Sequence, residues 1–383
     1  MHSSRRAFLR TLGAGAALRF AASVPLSAVA SSALFEPARH QAVERQILLN
    51  SNENAYGPPP KAVAALQAAL GQANRYPFPR YGALAEEIAA LHKVQPNQIV
   101  LGCGSTEILR MAAMALLDSG KQLIQPSPTF EAIQEYAQSV GAAVRSVPLD
   151  HQYAHDLGAM MPLAQERPSL IYICNPNNPT ASLTPRKDLE VFISRLPASA
   201  HVLVDEAYHH FATQSAIYES FIDNPIADDR VIVCRTFSKV YGLAGLRLGY
   251  SVATPAISEK LRRYATQDNV NGAVLAAAVA ALHDKQSLAA AVKRNADHRQ
   301  EFFNQAMARM LKPIDSQTNF VMMNTQRPAE KVIGHFEQHN ILIGRKFPPM
   351  NTYVRISLGK PNEMHEFWRV WDLLAGAGME MNM

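Results

Sequence analysis

Cysteine is nearly absent: 383 residues carry three, too few to staple a chain of this length, which excludes a disulfide framework. Charge is sparse as well, at 18% Asp, Glu, Lys and Arg. Yet 48% of the residues are apolar, so there is material for a large core and not the composition of a disordered polymer. No internal repeat and no low-complexity linker interrupts the chain. His209 and His210 stand together without a matching set of ligands, so they read as structural rather than as a metal site. Clusters of Lys and Arg with interleaved aromatics are missing too, which removes the nucleic-acid class.

Acid is wholly missing from the first thirty residues, which hold Arg5, Arg6, Arg10 and Arg19. Four of the net five positive charges sit there, so the pI near 9.0 describes that segment more than the rest. Ser4-Arg5-Arg6-Ala7-Phe8-Leu9-Arg10 leads into a weakly apolar Ala/Gly/Leu run, then Pro25 and Ala28-Val29-Ala30. A charged n-region, an h-region and a small-x-small cleavage site in that order resemble the twin-arginine export signal of bacteria. A disordered basic tail and a membrane anchor are the other readings. A spanning helix needs about 20 continuous apolar residues, and Arg19 and Pro25 break this run. The expectation is a signal over 1–30, export to the periplasm by the twin-arginine machinery, and a tether only if the signal stays uncut.

After an arm and loop over 31–55, short apolar runs alternate with amphipathic helices. The runs are Gln98–Leu101, Gln122–Gln125, Ala143–Val147, Leu170–Cys174, Val202–Val204, Val231–Cys234 and Leu248–Val252. Apolar throughout, they read as strands buried on both faces. The expected fold is α/β, a mostly parallel sheet with helices on both faces, over 56–256. Long Ala-rich helical stretches, short strands near Phe320–Met323, Ile341–Ile343 and Tyr353–Ser357, and a last helix near 362–375 predict a smaller α+β domain over 257–383.

Chemistry-bearing residues gather at the carboxyl ends of those strands, where open α/β sheets bind ligands. Leu101-Gly102-Cys103-Gly104-Ser105-Thr106 is a strand, a glycine turn and a helix start, which suits a phosphate. Ile173-Cys174-Asn175-Pro176-Asn177-Asn178-Pro179-Thr180 follows a second strand, and Val204-Asp205-Glu206-Ala207-Tyr208 ends a third with an acid. Arg235-Thr236-Phe237-Ser238-Lys239 ends a fourth, with Gly245-Leu246-Arg247 close behind. A lysine for an aldehyde, a carboxylate for a ring nitrogen, and hydroxyls with an arginine for a phosphate are what pyridoxal 5′-phosphate requires. Cys103, Cys174 and Cys234 each end an apolar strand and are expected to be buried, unpaired thiols.

The order Asn-Pro-Thr, Asp-x-Ala-Tyr, Ser-x-Lys, Gly-Leu-Arg resembles the fold-type I, class I/II aminotransferases. The likeness is greatest to the histidinol-phosphate aminotransferase branch, with Leu49-Asn50-Ser51-Asn52-Glu53-Asn54 and Arg75-Tyr76-Pro77 adding to it. It runs from about Leu48 to the last helix. The resemblance implies that Lys239 forms the Schiff base and moves the substrate's Cα proton. Asp205 then pairs with the pyridine nitrogen, and Asn178 and Tyr208 with the ring hydroxyl. Ser105, Thr106, Thr236, Ser238 and Arg247 form a phosphate cup, and Phe130 stacks on the ring. Tyr76 reaches the neighbouring subunit's cofactor phosphate, which implies a homodimer. Arg355 binds the substrate's anionic group, with Asn319 nearby.

Two departures stand out. Ala181 replaces the family's glycine after Asn-Pro-Thr; if φ is positive there, Ala costs about 1 kcal/mol. Gly344-Arg345-Lys346-Phe347 is not the usual arginine-containing stretch, so Arg345 is either a displaced anion-binding arginine or a rim charge. Histidine biosynthesis is cytoplasmic, so an exported relative is expected to use a free amino acid as donor, with a histidinol-phosphate-like amine as the other donor class, and a 2-oxo acid as acceptor. A decarboxylase or lyase would keep every cofactor residue. A non-catalytic binding protein would have no task for Lys239 and Asp205.

Overall fold

A computed structural model describes residues 46–376, so the signal reading of residues 1–30 lies outside the described residues. The described residues form one compact unit. Its strands are β1 (Ile47–Leu49), β2 (Ile99–Gly102), β3 (Gln122–Ser127), β4 (Ala143–Pro148), β5 (Ser169–Cys174) and β6 (Ala200–Asp205). They continue with β7 (Val231–Thr236), β8 (Gly249–Val252), β9 (Lys312–Pro313), β10 (Phe320–Asn324), β11 (Ile341–Ile343) and β12 (Tyr353–Ser357).

Seven strands form the central sheet in the order β2-β8-β7-β6-β5-β3-β4. Only β8 runs against its neighbours, pairing antiparallel with β2 and β7. Alternate residues feed two separate cores: Ile171, Ile173, Val202 and Val204 pack on one face, Leu170, Tyr172, Cys174 and Leu203 on the other. That double burial is why these strands read as unbroken apolar runs.

One strand corrects the expectation. β4 is an edge strand in which Val147 is buried while Ala143, Ser146 and Pro148 are exposed. Its outer side is unpaired and it carries Arg145 and Ser146, whereas the other edge strand, β2, is buried at every position.

The carboxyl-terminal part holds a three-stranded antiparallel sheet, β12-β10-β9. β1 pairs in parallel with β11, which ties the segment before residue 56 to this part of the fold. Leu49, Ile341, Val354 and Ile356 share its core with Phe336, Phe367 and Trp371.

On the sheet face opposite Asp205, Arg235 Nε lies 2.9 Å from Glu206 Oε2, with their side chains 5% and 1% exposed. Ser220 Oγ and Phe221 N–H also donate to the Glu206 carboxylate. Truncating one partner strands the other as a buried, unpaired charge. Arg235→Ala is therefore expected to cost about 3–5 kcal/mol, read as a lower denaturant midpoint, and Glu206→Gln in the same chain should recover part of it.

Candidate active site

Parallel strands end at one edge, and the loops leaving those ends line a cavity of about 760 Å³. Every cavity residue expected from the sequence lines it except Tyr76 and Asn319. Tyr76 is 72% exposed and its ring stacks on Phe78 at 5.5 Å. Asn319 lies behind the wall, where its Nδ2 donates to the carbonyls of Asn52 and Glu53.

At one end of the cavity, Gly104 turns the chain with φ 75° into the helix Ser105–Leu116. A Cβ on Gly104 would strike the Arg247 guanidinium, and one on Gly249 would strike the backbone of Ser105. Glycine at both places lets a cation and a helix N-terminus approach one point. Thr236 Oγ1 and Ser238 Oγ lie 3.0 Å apart, and Arg247 Nη1 lies 3.4 Å from Ser238 Oγ. Free N–H groups, hydroxyls and a guanidinium so arranged form an anion cradle.

Asp205 ends β6 on the face shared with Tyr172 and Cys174, and it is 2% exposed. Burial raises its carboxyl to about 6, opposed by donation from the Tyr172 hydroxyl (2.9 Å) and the Ala207 N–H (3.1 Å). The Tyr172 hydroxyl is itself pushed far up by burial and by Asp205, so it stays a neutral donor. Tyr172 escaped the sequence reading because a tyrosine in an apolar strand looks like core. Its position two residues before Cys174, which pairs in register with Asp205, was the available signal.

Lys239 Nζ donates to the Ser51 carbonyl at 3.2 Å. Burial lowers its ammonium to about 8, aided by Arg355 and Arg247 and opposed by Glu53 and Asp205. Arg355 is 7% exposed; Nη1 donates to Asn178 Oδ1 and Nη2 to the Asn50 carbonyl, both at 2.6 Å. Its buried Nε has no hydrogen-bond partner among the described residues, and burial together with Arg345 lowers the guanidinium to about 10. Arg345 is different: 55% exposed, it pairs with Glu131 and lies 4.4 Å over the Phe347 ring.

The departure at Ala181 resolves locally. Ala181 has φ 64°, so alanine does occupy a left-handed position, held by donation of its N–H to the Asn177 carbonyl. Cys174 and Cys234 are buried free thiols, but Cys103 is exposed, because it lies in the turn past the end of β2 rather than within the strand. His209 and His210 hydrogen-bond Tyr218 and Tyr241, and no metal-ligand cluster occurs among the described residues.

The family model for aminotransferase class I and II matches residues 44–370. The chain belongs to this family. It is a pyridoxal-phosphate-dependent aminotransferase. A curated relative, histidinol-phosphate aminotransferase 2 of Carboxydothermus hydrogenoformans, is 36% identical over 83% of this chain and 88% of its own. The aromatic amino acid aminotransferase of Cutibacterium acnes is also 36% identical, over 76% and 84%. Among solved structures, the histidinol-phosphate aminotransferase of Sinorhizobium meliloti in complex with pyridoxal-5′-phosphate superposes with a TM-score of 0.79. It is 27% identical, and the match covers 86% of this chain and 91% of that one.

The aminotransferase's own residues fit that cofactor. The glycine-cleared anion cradle suits its phosphate, and buried Asp205 suits a protonated ring nitrogen. Lys239, held partly uncharged near neutral pH, suits its aldehyde.

Proposed function

We propose that this aminotransferase works outside the cytoplasm, as a homodimer, and moves an amino group between a free α-amino acid and a 2-oxo acid. One observation carries the substrate reading. Arg355 is a buried cation in the cofactor cavity with an unpartnered Nε, whereas Arg345 is committed to Glu131 at the rim. A buried guanidinium with a donor to spare suits an α-carboxylate. Export is supported by the arginine pair and the acid-free first thirty residues. The dimer is supported by Tyr76, whose ring is exposed outside the cavity of its own chain while the family resemblance sends it to a neighbour's cofactor.

When bound, pyridoxal phosphate supplies an electron sink for the pair left when the substrate's Cα–H bond breaks. The protein does the rest. Lys239 Nζ would take the Cα proton and hold it as the ammonium for return. Asp205 would hold the ring nitrogen protonated, Arg247 and the cradle would hold the phosphate, and Phe130 would lie beside the ring. Arg355 fixes the α-carboxylate, which sets the Cα–H bond towards Lys239.

A screen of amino donors against the loaded protein tests the chemistry: an oxo acid made from the donor supports the reading. Release of carbon dioxide or ammonia overturns it in favour of a decarboxylase or lyase. Cell fractionation tests the location. Periplasmic protein that becomes cytoplasmic on changing Arg5 and Arg6 to Lys supports export, and cytoplasmic wild-type protein refutes it.

A further inference from the structure

Asn52 lies in the loop between β1 and the first helix, with its backbone in the left-handed region at φ 54° and its residue 2% exposed. A buried, non-glycine residue held there signals that its surroundings over-determine it. All its polar groups are engaged. Its N–H donates to Ser357 Oγ at 2.8 Å, and its carbonyl accepts from Asn319 Nδ2 at 3.0 Å. Ser357 Oγ in turn donates to Asn52 Oδ1 at 3.3 Å, and Asn52 Nδ2 lies 3.0 Å from the Tyr208 hydroxyl.

This circuit has a direction. The Ser357 hydroxyl has one proton, and one of its lone pairs is taken by the Asn52 N–H. Its proton lies towards Oδ1, and the other end of the Asn52 amide faces Tyr208. That end is the NH₂, so the Tyr208 oxygen accepts, and its own proton must point elsewhere. Among the described residues the Tyr208 hydroxyl makes no other hydrogen bond, and Tyr208 lines the cofactor cavity.

We propose that Asn52 is a positioning residue that aims the Tyr208 proton at the ring oxygen of the cofactor, with Ser357 setting the polarity of the circuit. The inference rests on pyridoxal phosphate occupying this cavity. The neighbouring carbonyls add to the case, since Asn50 accepts from Arg355 and Ser51 from Lys239. One strap thus presents successive backbone oxygens to the substrate arginine and the cofactor lysine, and Asn52 is the pinned residue next along it.

Asn52→Asp is nearly isosteric and tolerates the left-handed backbone, but it can only accept. The Tyr208 proton then turns to the new carboxylate and away from the cofactor. In the loaded protein, the pH midpoint of the cofactor's visible absorption band should rise by about one unit. kcat should fall roughly tenfold, the worth of one hydrogen bond, with KM for the donor little changed. Asn52→Gly keeps the backbone and removes the amide. It should shift the midpoint less, with a modest fall in the melting temperature of the cofactor-free protein as the buried Ser357 and Tyr208 hydroxyls lose a partner. In a Tyr208→Phe background, Asn52→Asp should add no further shift.

An unchanged midpoint in Asn52→Asp overturns the inference. So does a shift of equal size in the Tyr208→Phe background, which would make the effect that of a bare charge. If the wild-type protein takes up no cofactor and shows no such band, it is the cofactor assignment that fails.

Discussion

Replacing Lys239 with methionine is expected to abolish transamination and, at neutral pH, to make the cofactor-free protein more stable. The loss follows from removing both the amine that bonds the aldehyde and the base that moves the Cα proton. A positioned base alone is worth about 10²–10⁴-fold, so the combined loss should exceed about 10⁴-fold. The stability gain follows from burial. The Lys239 ammonium titrates near 8 in the fold, against 10.5 for an ordinary lysine. A lowered lysine disfavours the charged form in the folded state, so its penalty is full below about 8 and fades as pH rises to 10.5. Melting curves of cofactor-free Lys239→Met against wild type should show an advantage at pH 7 that disappears above 10.5. A variant no more stable at pH 7 would mean that the ammonium is solvated in the cavity.

Asp205→Asn is the second large effect. An amide of the same shape keeps the Tyr172 hydroxyl and the Ala207 N–H as neighbours, but it offers no negative charge to a protonated ring nitrogen. Buried electrostatic stabilisers of this kind are worth about 10²–10³-fold in kcat, and cofactor affinity should fall with it. Here the linkage sign is that of a raised acid. Asp205 titrates near 6 in the fold, against 3.8 for an ordinary aspartate, so its burial penalty is full above 6 and absent below 3.8. Cofactor-free Asp205→Asn should therefore be more stable than wild type at pH 7 and lose that advantage in acid. The bound ring nitrogen, being positive, holds the carboxyl lower still, which places the acid limb of activity at or below pH 6. An unchanged kcat in Asp205→Asn would remove this carboxylate from the chemistry.

Both predictions have one cause. A buried lysine and a buried aspartate on the same cavity wall lower the stability of the empty fold, and the cofactor's aldehyde and ring nitrogen offset that cost.

Where the sequence was legible, the reason was local. β11 and β12 coincide with the expected Ile341–Ile343 and Tyr353–Ser357, because short apolar runs between polar turns fix strand ends. Asp205 and Lys239 were legible because each is a charged residue beyond an apolar run, and Arg247 because it directly precedes one, where a charge without a task is costly. β4 misled because an edge strand and a central strand can have similar composition, and only the sheet order separates them. Tyr172 and Asn52 were not assigned roles because their partners, Asp205 and Tyr208, lie 33 and 156 residues away.

By itself, the sequence determined the alternation of strands and helices, the inventory of cofactor-binding groups and the family that shares it. These are written in residue type and short-range order. The tertiary structure alone decided which arginine is buried in the cavity, Arg355 and not Arg345, and that a tyrosine in the core braces Asp205. It also decided that Asn52 closes a hydrogen-bond circuit with Ser357, 305 residues away. Burial and hydrogen-bond direction belong to groups brought together by the whole fold, and no stretch of sequence contains them.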